Sequence, residues 1–155
     1  MSRVLKWAVG LLVINGVVWA AGQAITRSKT SRDLSAGDVE FYSFWNGAVF
    51  VPRSDSLRSV KVRVAMAGAT IDLRSAELSE QGAAVDVATM MGGTAVLIRK
   101  DWDVHVVEET RASAVEVRLD SGVEIPSDRP RVTIRLATTF GGALVGYELP
   151  GELHG

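Results

Sequence analysis

The sequence predicts an all-β fold: a short parallel β-helix, or solenoid, of about five coils, preceded by one N-terminal hydrophobic helix. Three observations predict it. From Val39 onward the chain is a series of short runs rich in Val, Ile, Thr and aromatics, with apolar positions at alternate residues. One phrase is written three times, as VAMAGATIDL (64–73), TMMGGTAVLI (89–98) and TTFGGALVGY (138–147). In each copy the apolar parity switches across a pair of small residues.

The first thirty residues stand apart from this pattern. Arg3 and Lys6 precede an uncharged run of 20 residues from Trp7 to Thr26. As a helix it would extend about 30 Å, one hydrocarbon core. Trp7 and Trp19 suit headgroup depth, and Asn15 and Gln23 are its mild polar interruptions. Residues 1–27 therefore read as a single-pass membrane anchor. One alternative is a cleaved signal peptide, with Arg3 and Lys6 as its basic start, Leu11 to Val18 as its apolar stretch and small residues near Ala20–Gly22 for cleavage, which would leave a secreted domain. A helix buried on all faces within a soluble protein is the other. Arg27, Lys29 and Arg32 balance the basic residues before the run, so charge leaves the membrane side open. Residues 28–38 are polar and turn-rich and read as a linker; 39–150 form the domain and 151–155 a tail.

The parity switch supplies the architecture. Val62, Val64 and Met66 share one parity, whereas Ala69, Ile71 and Leu73 beyond Ala67-Gly68 have the other. Val85, Val87 and Met91 give way to Val96 and Ile98 across Gly92-Gly93. Val132, Ile134, Leu136 and Phe140 give way to Ala143, Val145 and Tyr147 across Gly141-Gly142. Weaker copies lie at Trp45 with Asn46-Gly47, and at Thr110 with Arg111-Ala112. Side chains of a strand alternate faces, so a buried parity cannot change within one continuous strand. A corner must intervene, and glycine permits it. Each copy is then strand, corner, strand. The expected structural residues are Gly47, Gly68, Gly92, Gly93, Gly141 and Gly142, with Trp45, Met66, Met91 and Phe140 stacked inside. On this reading Gly93→Val and Gly142→Val destabilise the domain. An antiparallel sandwich or barrel is the competing architecture.

Chemistry-bearing motifs are sparse. The net charge is −1 with both signs scattered, which points away from nucleic acid as a partner. Cysteine is absent, so disulfides and thiolate metal sites are excluded. No nucleophile elbow, phosphate loop or zinc-protease motif occurs, and no cofactor is expected. In KDWDVHVVEE the side chains of Asp101, Asp103 and His105 share one parity, the weak candidate for a divalent-metal site. Their spacing along a strand, about 7 Å between alternate residues, is too wide for one ion without help from another strand.

Three stretches, MAGATIDLRSAEL (66–78), MMGGTAVLIRKDWDV (90–104) and FGGALVGY (140–147), resemble in order and spacing the C-terminal domain of LiaF-like proteins, the cell wall-active antibiotics response family. The resemblance rests on a repeated apolar-Gly-Gly-Val motif, a following xLDLRxAEL and a Pro-Glu-Asp-Trp-like turn, and covers roughly residues 41–149. Ala67-Gly68, Asn46-Gly47 and Arg111-Ala112 depart from the Gly-Gly pairs, and RKDW replaces the proline-containing turn. One hydrophobic segment also stands where members commonly carry several. The resemblance implies a β-helical fold and a bacterial envelope-stress role, in which a membrane-bound protein restrains a histidine-kinase pathway.

The expected function is that of a non-enzymatic, membrane-tethered domain that acts in protein interaction or regulation, binding a partner protein or an envelope component. Its docking sides would display Asp72, Arg74 and Glu77, and Arg99, Asp101 and Asp103. A self-assembling scaffold, similar to bactofilins, is one alternative, because terminal coils leave open backbone edges. A metal-dependent enzyme centred on Asp101, Asp103 and His105 is another.

Overall fold

A computed structural model describes residues 33, 35–45, 47–119 and 128–148. The anchor run, most of the linker and the tail lie outside the described residues. Ten strands and no helix are described: β1 (Asp38–Phe44), β2 (Ala48–Phe50), β3 (Ser59–Ala65), β4 (Gly68–Asp72), β5 (Ala83–Met90), β6 (Gly93–Leu97), β7 (Asp103–Arg111), β8 (Ala114–Arg118), β9 (Arg131–Thr139) and β10 (Gly142–Gly146). Odd strands form one sheet and even strands the other, and every strand pairing in both is parallel. An antiparallel sandwich or barrel is therefore excluded.

Consecutive strands form five strand–corner–strand units. Within the first sheet, in-register pairing stacks Val39, Val60, Val85, Ile134 and Val106 in one inward row. In the second sheet Phe50, Ile71, Val96, Val145 and Val117 make the matching row. The parity exchange holds as read from the sequence: Val62 and Val64 are buried before the corner, and Ala69, Ile71 and Leu73 after it. The third side is closed without a regular strand. There Leu57 pairs with Leu78 in an isolated bridge, and Leu73, Ala76, Ile98 and Trp102 are buried beneath.

The units are not stacked in chain order. The first sheet runs β1-β3-β5-β9-β7 and the second β2-β4-β6-β10-β8, so the last unit inserts between the third and the fourth. Burial explains why. RVTIRLATT of β9 has four buried positions and suits a place with neighbours on both sides. β7 and β8 are polar and mostly exposed, and suit an outer edge.

The corner itself corrects the sequence reading in three respects. First, the left-handed backbone falls not on the glycines but on the residue before each small pair: Trp45 (φ 67°), Met66 (53°), Met91 (54°), Ala112 (49°) and Phe140 (52°). A non-glycine residue there costs about 1–2 kcal/mol. The reversal also redirects the backbone. Before the corner Met66 N–H of the second unit donates to Met90 O of the third, whereas beyond it Gly93 N–H of the third donates back to Ala67 O of the second. In the fourth unit the corner is Ala112-Ser113, not Thr110 followed by Arg111-Ala112.

Second, Trp45, Met66, Met91 and Phe140 are not stacked inside. They are 44, 37, 55 and 65% exposed, because the left-handed residue swings its side chain off the inward row. The interior narrows where the sheets meet and is lined there by small groups: Ser43, Thr89, Thr138, Ala69, Thr94 and Ala143. Thr89 Oγ1 lies 2.6 Å from Thr94 Oγ1 across the corner, leaving no room for Met or Phe. The neighbouring Thr138 Oγ1 is buried without a hydrogen-bond partner among the described residues. Thr138→Val keeps the shape and removes that desolvated hydroxyl, so it is expected to stabilise the domain by about 1 kcal/mol in denaturant titration.

Third, the two glycines of a pair are not equivalent. A Cβ on Gly92 would sit 1.9 Å from Ala67 O, and one on Gly141 2.0 Å from Gly92 O. Around Gly93 and Gly47 a Cβ would meet nothing within 4 Å, and around Gly142 only ordinary contact at 3.6 Å. Gly68 has similar space, at 3.9 Å. The expectation that Gly93→Val and Gly142→Val disrupt the fold is thus withdrawn in favour of the first glycine of each pair.

Candidate functional site

The strands carry different chemistry at their two ends. At the end away from the corners, short turns hold a charged rim. Asp72 terminates β4 and Arg74 follows two residues later in the turn. The Arg74 Nε–H donates to Asp72 Oδ1 at 2.9 Å and Nη2–H to Oδ2 at 2.8 Å, while the Arg74 backbone N–H also donates to Oδ1 at 3.1 Å. Arg74 Nη1–H reaches Tyr147 O at 3.4 Å, tying the second unit to the last.

The third unit repeats the device. Arg99 forks onto Asp101 (2.9 and 2.8 Å) and uses Nη1–H to reach Glu77 Oε1 at 2.7 Å. Lys100 Nζ lies 5.4 Å from the centre of the Tyr147 ring. The structure therefore brings Asp72, Arg74, Glu77, Arg99 and Asp101 to one rim, which the sequence had offered only as separate docking sides. Forked arginine–carboxylate pairs fix orientation, although half-exposed pairs add little stability.

The arginine hydrogen bonds hold the carboxyls of Asp72 and Asp101 below the usual aspartate range, against the opposing effect of partial burial. The sign follows from linkage. A carboxyl depressed in the folded state contributes stability above its unfolded pKa of about 3.9, and that contribution is lost as pH falls through the folded value. Thermal unfolding is expected to lose midpoint temperature below about pH 4, and Arg74→Gln and Arg99→Gln together are expected to flatten that dependence.

Asp103 and His105 lie beside this rim on β7, lining an open polar cleft with Glu80, Gln81, Arg129 and Arg131. Asp103 accepts from Arg131 Nε–H at 2.9 Å, and Asp101 is taken by Arg99. Both carboxylates thus face guanidinium groups, and among the described residues no three His, Asp or Glu side chains converge as a metal site would need. Calorimetric titration with zinc, calcium and manganese is expected to show no binding at sub-millimolar concentrations.

The corner end is of opposite character. Trp45, Met66, Met91 and Phe140 follow one another at adjacent positions across four neighbouring units, because the residues before them are in register: Phe44 with Ala65, Ala65 with Met90, and Met90 with Thr139. Met90 adds a further exposed side chain. At the strand spacing of about 4.8 Å, the row extends roughly 14 Å. Two residues beyond it, a shallow groove crosses the outer face of the second sheet, floored by Gly68, Gly93 and Gly142. Sequence reasoning named these side chains but placed them inside. The signal that would have placed them outside is the small size of the preceding inward residues, Ser43, Thr89 and Thr138, which leaves no layer for a larger one.

No family model, curated protein or solved structure matches this chain.

Proposed function

We propose that the chain is a membrane-tethered parallel β-helix of five coils that regulates or docks a partner protein without catalysing a reaction. The observation that carries the reading is the charged rim. Asp72, Arg74, Glu77, Arg99 and Asp101 are held in fixed geometry on turns of a rigid stack, as recognition of a charged protein surface requires. The tether reading comes from the uncharged run between Trp7 and Thr26, which would restrict the search for a partner to a membrane surface. The resemblance to LiaF-like domains makes a regulator of cell-envelope stress the role to test first.

Carbonate extraction with N-terminal sequencing tests the tether: the native chain is expected to stay in the membrane fraction with residues 1–27 intact. A mature chain starting near Gln23 would refute it. An envelope-stress reporter, induced by a cell-wall antibiotic, is expected to respond more strongly when the chain is deleted. Charge reversal at Arg74 and Arg99 should reproduce the deletion while the protein remains folded and membrane-bound. A reporter indifferent to the deletion would overturn the stress-response role.

Self-assembly into a scaffold is the second reading, favoured by the outer edges of β1 and β7, which have a strand partner on one side only among the described residues. Glu108 opposes it. It occupies the inward row beside Leu136 yet is exposed, an inward-pointing charge of the kind that blocks edge pairing. Light scattering is expected to give a concentration-independent size for the detergent-solubilised chain.

A further inference from the structure

We infer that the corner row of Trp45, Met66, Met91 and Phe140 is a second membrane contact, seating the domain on the lipid interface. The inference rests on the tether reading above. Four observations lead to it.

The four side chains are large, apolar and exposed, and stand at adjacent positions on neighbouring units. They occupy left-handed backbone positions where Gly or Asn would be easier, and none belongs to the buried core, although the Trp45 ring lies 6.0 Å from the Phe44 ring. Packing therefore does not account for their size.

Charge thins out at the corners themselves. Among the described residues from one before each corner residue to two after it, Arg111 is the sole ionisable group. Asp38, Asp72, Arg74, Glu77, Arg99, Asp101, Asp103 and Arg131 sit at or near the opposite rim. Lys61 with Glu40 and Arg135 with Asp86 lie midway, and Arg63, Glu108 and Glu109 come three or four residues before their corner residues. An uncharged corner carrying Trp, Phe and Met, with one cation beside it, matches the headgroup boundary of a bilayer, where aromatic rings concentrate and anionic lipids attract basic groups.

The chain outside the described domain says which surface is within reach. Eleven residues separate Thr26 from Asp38 and span up to about 38 Å when extended. β1, seven residues long, carries the chain about 23 Å from Asp38 to the corner. The linker is thus long enough to run back along the domain and let the corner touch the bilayer. In that pose the charged rim faces away from the lipid, toward a protein partner.

The test uses the full chain in phosphatidylcholine–phosphatidylglycerol vesicles. Trp7→Phe and Trp19→Phe leave Trp45 and the buried Trp102 as emitters, and a further Trp45→Phe variant isolates the Trp45 signal. Lipids brominated at shallow acyl positions are expected to quench most of the Trp45 emission and to leave Trp102 unaffected. Met66→Ser, Met91→Ser and Phe140→Ser together should abolish that quenching with the circular dichroism unchanged. Flotation separates the two levels of the claim. A chain that does not float with vesicles overturns the tether and this inference with it. A chain that floats while Trp45 remains unquenched by brominated lipid overturns this inference alone. Protection of Trp45 from aqueous iodide without lipid quenching, rising with the protein-to-lipid ratio, would assign the row to a second copy of the chain and would also overturn it.

Discussion

Gly141→Ala is expected to prevent stable folding, and Gly92→Ala to do nearly the same. A single methyl group at either position would lie about 2 Å from a backbone carbonyl oxygen of the adjacent unit, Gly92 O for Gly141 and Ala67 O for Gly92. That oxygen is not free to move, since it accepts from the neighbouring strand: Gly92 O from Gly142 N–H at 3.0 Å, and Ala67 O from Gly93 N–H at 3.2 Å. Relieving the collision means separating two units of the stack. The loss should exceed about 4 kcal/mol, the range in which single substitutions are exceptional. Gly93→Ala is the control. It sits one residue later, has open space for its Cβ, and should change stability by no more than about 0.5 kcal/mol. Urea denaturation of the three variants checks the pattern; equal midpoints for Gly92→Ala and Gly93→Ala would contradict the corner geometry.

Phe41→Ala is expected to destabilise by about 3–5 kcal/mol, the usual cost of truncating a buried aromatic. Phe41 is fully buried although it lies on β1, the outermost strand of its sheet. It achieves this by stacking on Phe50 of the opposite sheet, with ring centroids 4.2 Å apart, and the pair covers the end of the apolar interior. Removing one ring opens the rows behind it, Val62 and Val87 in one sheet and Ile71 in the other. The variant should therefore bind a hydrophobic dye before it unfolds, besides melting earlier. Phe41→Leu, which refills most of the space, should recover more than half of the loss. A Phe41→Ala protein as stable as its parent would show that the first unit does not cap the core.

Much of the fold is legible in the alternation of the runs. Strands such as SVKVRVA and RVTIRLATT announce their buried faces, and an exchange of parity across the corner is what the structure shows, although the fourth corner lies at Ala112-Ser113 and not at the pair read from the sequence. The members of the charged rim could be named from the sequence as exposed polar residues, but their pairing, Asp72 with Arg74 and Arg99 with Asp101, came from the structure. In KDWDVHVVEE the shared parity of Asp103 and His105 correctly put both on one side of β7. It did not reveal the guanidinium of Arg131, which comes from a strand 28 residues away.

Two features depended on contacts between units. The order of the stack, with β9–β10 inserted before β7–β8, follows from which strands tolerate an open edge, a comparison that no single strand contains. The fate of Trp45, Met66, Met91 and Phe140 followed from the hand of one backbone torsion per corner. Parity counts residues, and at a left-handed residue the count continues while the side chain leaves the inward row. The amino-acid order thus determined which faces of the strands are apolar and where the chain bends. The tertiary structure alone decided which unit lies beside which, which glycine of each pair lies against a neighbouring carbonyl, and that the largest apolar side chains at the corners face outward. Those three outcomes share a cause: each is set by the space left between neighbouring units, and that space exists only once the units are stacked.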